Sequence, residues 1–269
     1  FPVLEELNRN ERIAELVDNM PDNYELVTDE KRLNEVIELL FEESIVVFDV
    51  ETTGTDIWSD KIVGHVLSAT EADKHFYIPT DHLDESTPQL DRDYVAEKLR
   101  PLYENENIGF IAHNSKFDIA MLRNNFGINI NNLLWDTMEA QFLLNENEPS
   151  YALKPLATFY LKDNSYTYGE LFGKAGFHEV PLKEALAYAA KDGDITYRLY
   201  KFQESHMKKG GNTYDYFTSV EMPLLRIVSE IELRGYDIDD IYAKEYEAEL
   251  EKEIEIMSET IKKELGDIN

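Results

Sequence analysis

Ser44-Ile-Val-Val-Phe-Asp-Val-Glu-Thr-Thr-Gly54 is the stretch on which the fold turns. Ile45 to Val50 is β-branched and aromatic enough to form a short strand buried on both faces. Asp49 and Glu51 stand two residues apart in this segment. Side chains alternate along a strand, so both acids share the face lined by Ile45 and Val47. Burying two like charges is strongly unfavourable unless something cancels them. Two arrangements meet that condition. A divalent cation can sit between the acids, or the strand can end in solvent with Thr52, Thr53 and Gly54 as its turn. These residues alone leave both open.

The chain has 269 residues, about the size of one large domain plus an appendage. Hydrophobic residues make up 43%, including 13 Phe and 16 Tyr, so a sizeable core is available. The absence of cysteine excludes disulfides and Cys-ligated zinc or iron–sulfur centres. Apolar runs fall far short of the ~20 residues that span a bilayer. No secretory pattern opens the chain, and its start at Phe1 suggests a fragment of a soluble intracellular protein, with no membrane association. Net charge is −29, from 55 acidic against 26 basic residues. That charge argues against a nucleic-acid binder with a basic footprint. It leaves room for a nuclease whose acidic site is bridged to phosphate by metal ions. Such a domain should bind weakly alone and rely on a more basic neighbour; tight metal-free DNA binding by this chain would contradict that.

Phe1 to Met20 carries a weak apolar pattern (Leu4, Leu7, Ile13, Leu16, Val17) and reads as a linker with helical leanings. A strand at Tyr24 to Val27 precedes a helix capped at Thr28 or Asp29 and running to about Phe41. After the opening strand, Lys61 to Thr70 and Lys74 to Pro79 form a strand pair around Glu71-Ala-Asp73. Helices follow at Asp91 to Tyr103 and Ser115 to Phe126, with a strand at Ile108 to Ala112 between them. Asp136-Thr-Met-Glu139 reads as a capping box opening a helix to Leu144. Shorter helical stretches lie near Ala152 to Tyr160 and Tyr168 to Phe172. A long helix starts at Pro181 and ends at Gly210-Gly211. Beyond it come a helix over Glu221 to Arg234 and a charged one from about Ile241 to Leu265. The stripe on the last (Tyr246, Leu250, Ile254, Met257, Ile261) calls for a partner.

Three further places set an acid against an apolar face. Tyr188 and Asp192, four apart on the Pro181 helix, share a face with Ile195 and Leu199. A structural hydrogen bond between the two is the plainer alternative. Gly193 costs that helix about 1 kcal/mol relative to alanine, which points to a close neighbour; Asp194 is expected in solvent. In His113-Asn-Ser-Lys-Phe-Asp118, Asn114 reads as an N-cap, while Asp118 shares its face with Met121 and Leu122. The capping box accounts for Asp136. The histidines show no metal-ligand spacing. Asp49, Glu51, Asp118 and Asp192 remain, a donor set that prefers Mg²⁺ or Mn²⁺. Two such ions roughly 3.5–4 Å apart can serve phosphodiester hydrolysis. One sequence does not show that the four acids converge.

Asp-x-Glu, Asn-x-x-x-Asp and Tyr-x-x-x-Asp, in this order, resemble the Exo I, II and III motifs of DEDD-type 3′–5′ exonucleases. Tyr188, four before Asp192, places the resemblance with the DEDDy subgroup; the sister subgroup has histidine where this chain has Ala187. Within the subgroup the text is most similar to the proofreading domain of family A, DNA polymerase I-like polymerases. His113-Asn-Ser-Lys-Phe-Asp118, Trp135-Asp-Thr-Met138 and Tyr188-Ala-Ala-Lys-Asp-Gly-Asp194 carry that likeness. Glu221-Met-Pro-Leu224 and Arg234-Gly-Tyr-Asp-Ile-Asp239 resemble the approach to the polymerase thumb.

The resemblance implies an RNase H-like α/β fold, a mixed sheet flanked by helices, with a helical C-terminal extension. The resemblance runs from about Tyr24 to the end and implies 23–211 as the 3′–5′ exonuclease domain and 212–269 as the start of a polymerase domain, which leaves residues 1–22 as a linker or N-terminal extension. Asp49, Glu51 and Asp192 would hold one metal, and Asp118 would help hold a second bridged by Asp49. Tyr188 and Glu51 would orient the attacking water. Thr52, Thr53, Thr55, Asn114, Phe117 and Tyr168 would lie along the substrate; Thr55 stands where the family often has a bulkier apolar wedge. The implied partners are a single-stranded DNA 3′ end and the polymerase domain in cis. The cofactors are two Mg²⁺ or Mn²⁺ ions, and the setting is a cytoplasmic, bacterial or phage-encoded monomer. Two alternatives stay open: an RNase D-like 3′–5′ exoribonuclease, and a non-catalytic structural or interaction domain of a polymerase. The text after Gly211 weighs against the first, and the charge of −29 favours the second.

Overall fold

The strand holding Asp49 and Glu51 lies inside a six-stranded sheet, ordered β1-β4-β3-β2-β5-β6. The strands are β1 (Tyr24–Leu26), β2 (Ile45–Thr52), β3 (Ile62–Ala69), β4 (Lys74–Pro79), β5 (Gly109–Ala112) and β6 (Leu133–Asp136). β2 to β4 run antiparallel in turn, while β1 joins β4, and β5 and β6 extend from β2, in parallel. The computed structural model describes residues 2–266. Phe1 and residues 267–269, the outer ends of the expected linker and polymerase-leading segments, and the side chain of Leu4 lie outside the described residues.

The helices are α1 (Pro2–Asp18), α2 (Glu30–Phe41), α3 (Arg92–Tyr103), α4 (Ser115–Phe126), α5 (Thr137–Leu144) and α6 (Leu153–Leu156). They continue with α7 (Tyr168–Leu171), α8 (Leu182–Lys209), α9 (Thr213–Tyr216), α10 (Met222–Arg234) and α11 (Asp240–Leu265). This is the mixed sheet flanked by helices of an RNase H-like fold. Two compact units divide at Ser229/Glu230. Among the described residues no helix is long and apolar enough to cross a membrane.

The register of β2 against β3 explains which acids face what. Asp49 stands opposite Val66 and Glu51 opposite Gly64, whereas Phe48 pairs with Leu67 and Val50 with His65. Val66 belongs to the apolar cluster that includes Ala185, Ala189 and Ala190 of α8. Leu67 and Phe48 belong to the larger cluster with Leu33, Val36 and Leu40 of α2 and Leu99 of α3. The two acids therefore point to the α8 side and the aromatic core to the other, as strand alternation requires. α8 lies against that face so closely that a Cβ on Gly193 would stand 2.5 Å from Ser68 Oγ and 3.2 Å from Val66 Cγ1. Glycine at 193 is the residue that allows this approach.

The N-terminal stretch read as a linker with helical leanings forms α1, whose Ile13 and Leu16 pack on the α8-side cluster together with Met20. β6 has no counterpart among the strands expected from sequence. α11 shows Tyr246, Leu250, Ile254, Met257 and Ile261 between 39% and 59% exposed, so its stripe is present and uncovered within its own unit.

Candidate active site

Asp49 and Glu51 keep partial exposure at the end of β2, and Asp118, in the first turn of α4, is 3% exposed. The Asp49 and Asp118 side chains are hydrogen-bonded to each other. Asp118 Oδ1 also accepts from the Val50 backbone N–H at 3.1 Å, and Asp49 Oδ1 accepts from the same N–H at 3.0 Å. Burial pushes all three acids up, Glu51 and Asp118 well above the usual carboxylate range; the Asp49 charge adds to the shift on both. Three acids this close in a desolvated place call for a positive charge.

Tyr188 and Asp192 reach the same place from α8. The Tyr188 phenol is held protonated, first by burial and then by the charges of Glu51 and Asp49. Its ring meets Tyr168 and Phe172 edge-on, each at 5.8 Å. Asp192 is 8% exposed and ion-paired with Lys154, from α6. Lys154 is itself 6% exposed, with Nζ 4.5 Å from the Tyr188 ring centroid. Burial and Lys191 pull Lys154 down to about 7, while Glu51, Asp49 and Asp163 oppose the shift. Contact with the Asp192 carboxylate also favours the ammonium form. Tyr77, buried on β4, completes the wall; burial raises its phenol, with smaller contributions from Glu51 and Asp49.

The four acids thus meet in one region, three directly and Asp192 through Lys154. Among the described residues, as the side chains stand, no three histidine, aspartate or glutamate groups form a closed metal-ligand set. The donor chemistry nonetheless fits a hard cation: the donors are carboxylate oxygens, crowded and poorly solvated.

The residues expected along the substrate differ in their settings. Thr52 Oγ1 donates to Gly54 O at 2.6 Å, and Thr53 Oγ1 donates to Asp60 Oδ1 at 2.8 Å, so the turn beyond Glu51 is internally tied. Thr55 is exposed on it. Phe117 is partly buried against the main core. Tyr168 donates to Ala175 O at 2.7 Å, and burial, with Glu51 and Glu179, pushes its hydroxyl up to about 12.

Asn114 differs from expectation. It occupies the N-cap position in a left-handed conformation (φ 60°), and its side chain makes no cap hydrogen bond. Asp136 supplies the acceptor instead, taking the N–H of Asn114 at 3.2 Å and both N–H and Oγ–H of Ser115 at 2.6 and 2.7 Å. Asp136 also caps its own helix α5 through Met138 and Glu139. Asp194 likewise differs: it accepts from Tyr24 Oη at 3.1 Å and sits 3.5 Å from Arg198 Nη1, so it is a structural anion rather than a solvated one. Sequence reasoning did not find Lys154 or Tyr77. A lysine inside the Leu153-Lys-Pro-Leu156 segment was the one available signal for the former.

A mixed sheet of this order, with acids from its central strand and two helices gathered on one side, defines a 3′–5′ exonuclease of RNase H-like fold. Residues 24–208 match the family model of the exonuclease domain of A-type DNA polymerases, described as 3′-5′ exonuclease. The chain belongs to that family. DNA polymerase I of Borreliella burgdorferi is 30% identical over 251 residues, covering 93% of this chain and 27% of that protein. DNA polymerase I of Pseudomonas aeruginosa is 29% identical over 223 residues, covering 81% and 24%. The chain thus spans about a quarter of the length of these curated relatives. Among solved structures, Brucella melitensis NrnC with bound Mg²⁺ shares the fold at a TM-score of 0.57 and 22% identity, covering 74% of this chain and 91% of that one. Exonuclease domains of this family use divalent metal ions.

Proposed function

We propose that this domain removes nucleoside monophosphates from the 3′ end of single-stranded DNA with two Mg²⁺ or Mn²⁺ ions, as the proofreading module of a DNA polymerase. The observation that carries this is the meeting of Asp49, Glu51 and Asp118 in one crowded, partly buried place, where Asp49 and Asp118 share the Val50 N–H, with Asp192 and Tyr188 on α8 both against Lys154 beside them. Asp49, Glu51, Asp118 and Asp192 would hold the cations. When bound, these supply activation of the attacking water and stabilisation of the leaving 3′ oxygen. The chain's own residues do the rest. Tyr188, kept protonated, and Glu51 orient the water. Thr52, Thr53, Thr55, Asn114, Phe117 and Tyr168 border the terminal nucleotide. In this reading residues 1–22 are a linker or N-terminal extension, residues 23–211 form the nuclease, and residues 212–269 lead into a polymerase domain in cis. The net charge of −29 makes that neighbour the part that retains the DNA.

The relatives' being DNA polymerases supports DNA as substrate, and the Mg²⁺ bound to Brucella melitensis NrnC is in keeping with the choice of ion. The test is degradation of 5′-labelled DNA and RNA strands of matched sequence in Mn²⁺. Shortening of the DNA from its 3′ end is expected. A strong preference for RNA would overturn the substrate assignment, and degradation of neither would favour a non-catalytic domain.

A further inference from the structure

Lys154 has no part in the chemistry proposed above, yet it is buried among the acids that carry it. Lysine is rarely buried without a partner, and here the partner is Asp192, one of the proposed ligands. The Tyr188 ring lies under the same ammonium, and the charges of Glu51 and Asp49 act on it. The ammonium thus stands where positive charge is most needed, held by a flexible four-carbon stem. Its backbone belongs to the four-residue helix α6, which runs into an irregular π-helical turn at Ala157–Leu161. Lys154 also lines a cleft of about 640 Å³, together with Glu148, Pro149, Thr158 and Phe159. That cleft gives the side chain somewhere to go.

Resting on the reading of the four acids as metal ligands, we propose that Lys154 is an internal counter-cation. It holds Asp192 and offsets the carboxylate cluster when no metal is bound, then gives Asp192 up to the ion and withdraws into the adjacent cleft. Lys154 is a positioning residue in this account: it keeps the metal-free site assembled and competes with the ion for one ligand. A purely structural lysine would fill space and leave metal affinity untouched.

The test is Mn²⁺ binding to the whole chain, followed by loss of the free-ion EPR signal, with no substrate present. Lys154→Met should bind Mn²⁺ about tenfold more tightly, because a competing positive charge has been removed from the ligands. It should also melt at a lower temperature in EDTA. Lys154→Arg should keep wild-type affinity to within about twofold, since the charge is retained. Unchanged or weaker binding by a folded Lys154→Met would overturn the proposal. Wild-type protein gives a second measurement that needs no variant. Amine-reactive labelling read by mass spectrometry should rise several-fold at Lys154 when Mn²⁺ is added, measured against Lys31, whose side chain is 88% exposed. Labelling unchanged by bound Mn²⁺ would overturn the inference and leave the metal site standing. A wild-type chain that takes up no Mn²⁺ would overturn both.

Discussion

The backbone N–H of Val50 donates to the Asp118 carboxylate at 3.1 Å, across 68 residues of chain. One strand amide thereby ties α4 to β2 at the point where the acids meet, and it also serves Asp49 at 3.0 Å. The site is positioned by main chain as much as by charge.

Asp118→Asn follows from this. An amide oxygen can still accept from Val50, so the fold should persist. Because burial raises the Asp118 carboxyl, losing its charge should leave the metal-free melting temperature unchanged or slightly higher. Nuclease activity should drop by about 100-fold or more, beyond the 10–100-fold typical of losing a supporting residue around a metal. Thermal melting in EDTA and a single-stranded DNA assay check the two halves.

Tyr188→Phe keeps the ring contacts with Tyr168 and Phe172 and loses only the hydroxyl. Cleavage should slow by about 10²-fold, the scale of a lost proton-handling or water-orienting group. Mn²⁺ affinity should hold. Loss of metal binding in this variant would show that Tyr188 has a different role.

Gly193→Ala should destabilise the protein by about 1–3 kcal/mol, the usual cost of forcing a methyl group into a packed core. The new Cβ meets Ser68 Oγ at 2.5 Å first and Val66 Cγ1 at 3.2 Å second. Adding Ser68→Ala should recover part of the loss in urea unfolding. Activity should fall as well, since Asp192 precedes the displaced residue.

His65 gives a pH dependence with a definite sign. It is fully buried on β3, with Nδ1 3.1 Å from Tyr103 Oη. Burial, with a smaller push from Arg92, holds it down from 6.5 to about 3. The unfolded chain therefore takes up a proton that the folded one refuses. Stability from this residue is complete above pH 6.5, falls as pH drops towards 3, and then levels off. The slope is about 1.4 kcal/mol per pH unit across that window. His65→Gln should be less stable at pH 7 and lose stability more slowly on acidification, so the two denaturation curves approach each other as pH falls.

Much of the site was legible because acids that break an apolar period announce themselves. Asp49 and Glu51 interrupt a strand, and Asp118 and Asp192 interrupt helical faces; the structure brings all four to one region. The close neighbour inferred from Gly193 is Ser68 with Val66. Other features had no local signal. Asn114 looks like a cap because of its position before α4, but the acceptor is Asp136, distant in sequence and adjacent in the sheet. β6 is four residues long and merges with the capping box that follows it, so periodicity could not resolve it. Asp194 resembles any exposed acid until Tyr24 and Arg198 are placed beside it. Lys154 was hidden most thoroughly, because a lysine in a short irregular segment ordinarily lies at the surface.

Asp49, on the α8 side of β2 and hydrogen-bonded to Asp118, is expected to be required for metal-dependent cleavage. Asp49→Ala and wild type should be compared on 5′-labelled single-stranded DNA in Mn²⁺ and in EDTA, with circular dichroism of both. The account predicts stepwise 3′-end shortening by wild type in Mn²⁺ alone, and none by a folded Asp49→Ala. Equal shortening by the two proteins would contradict it.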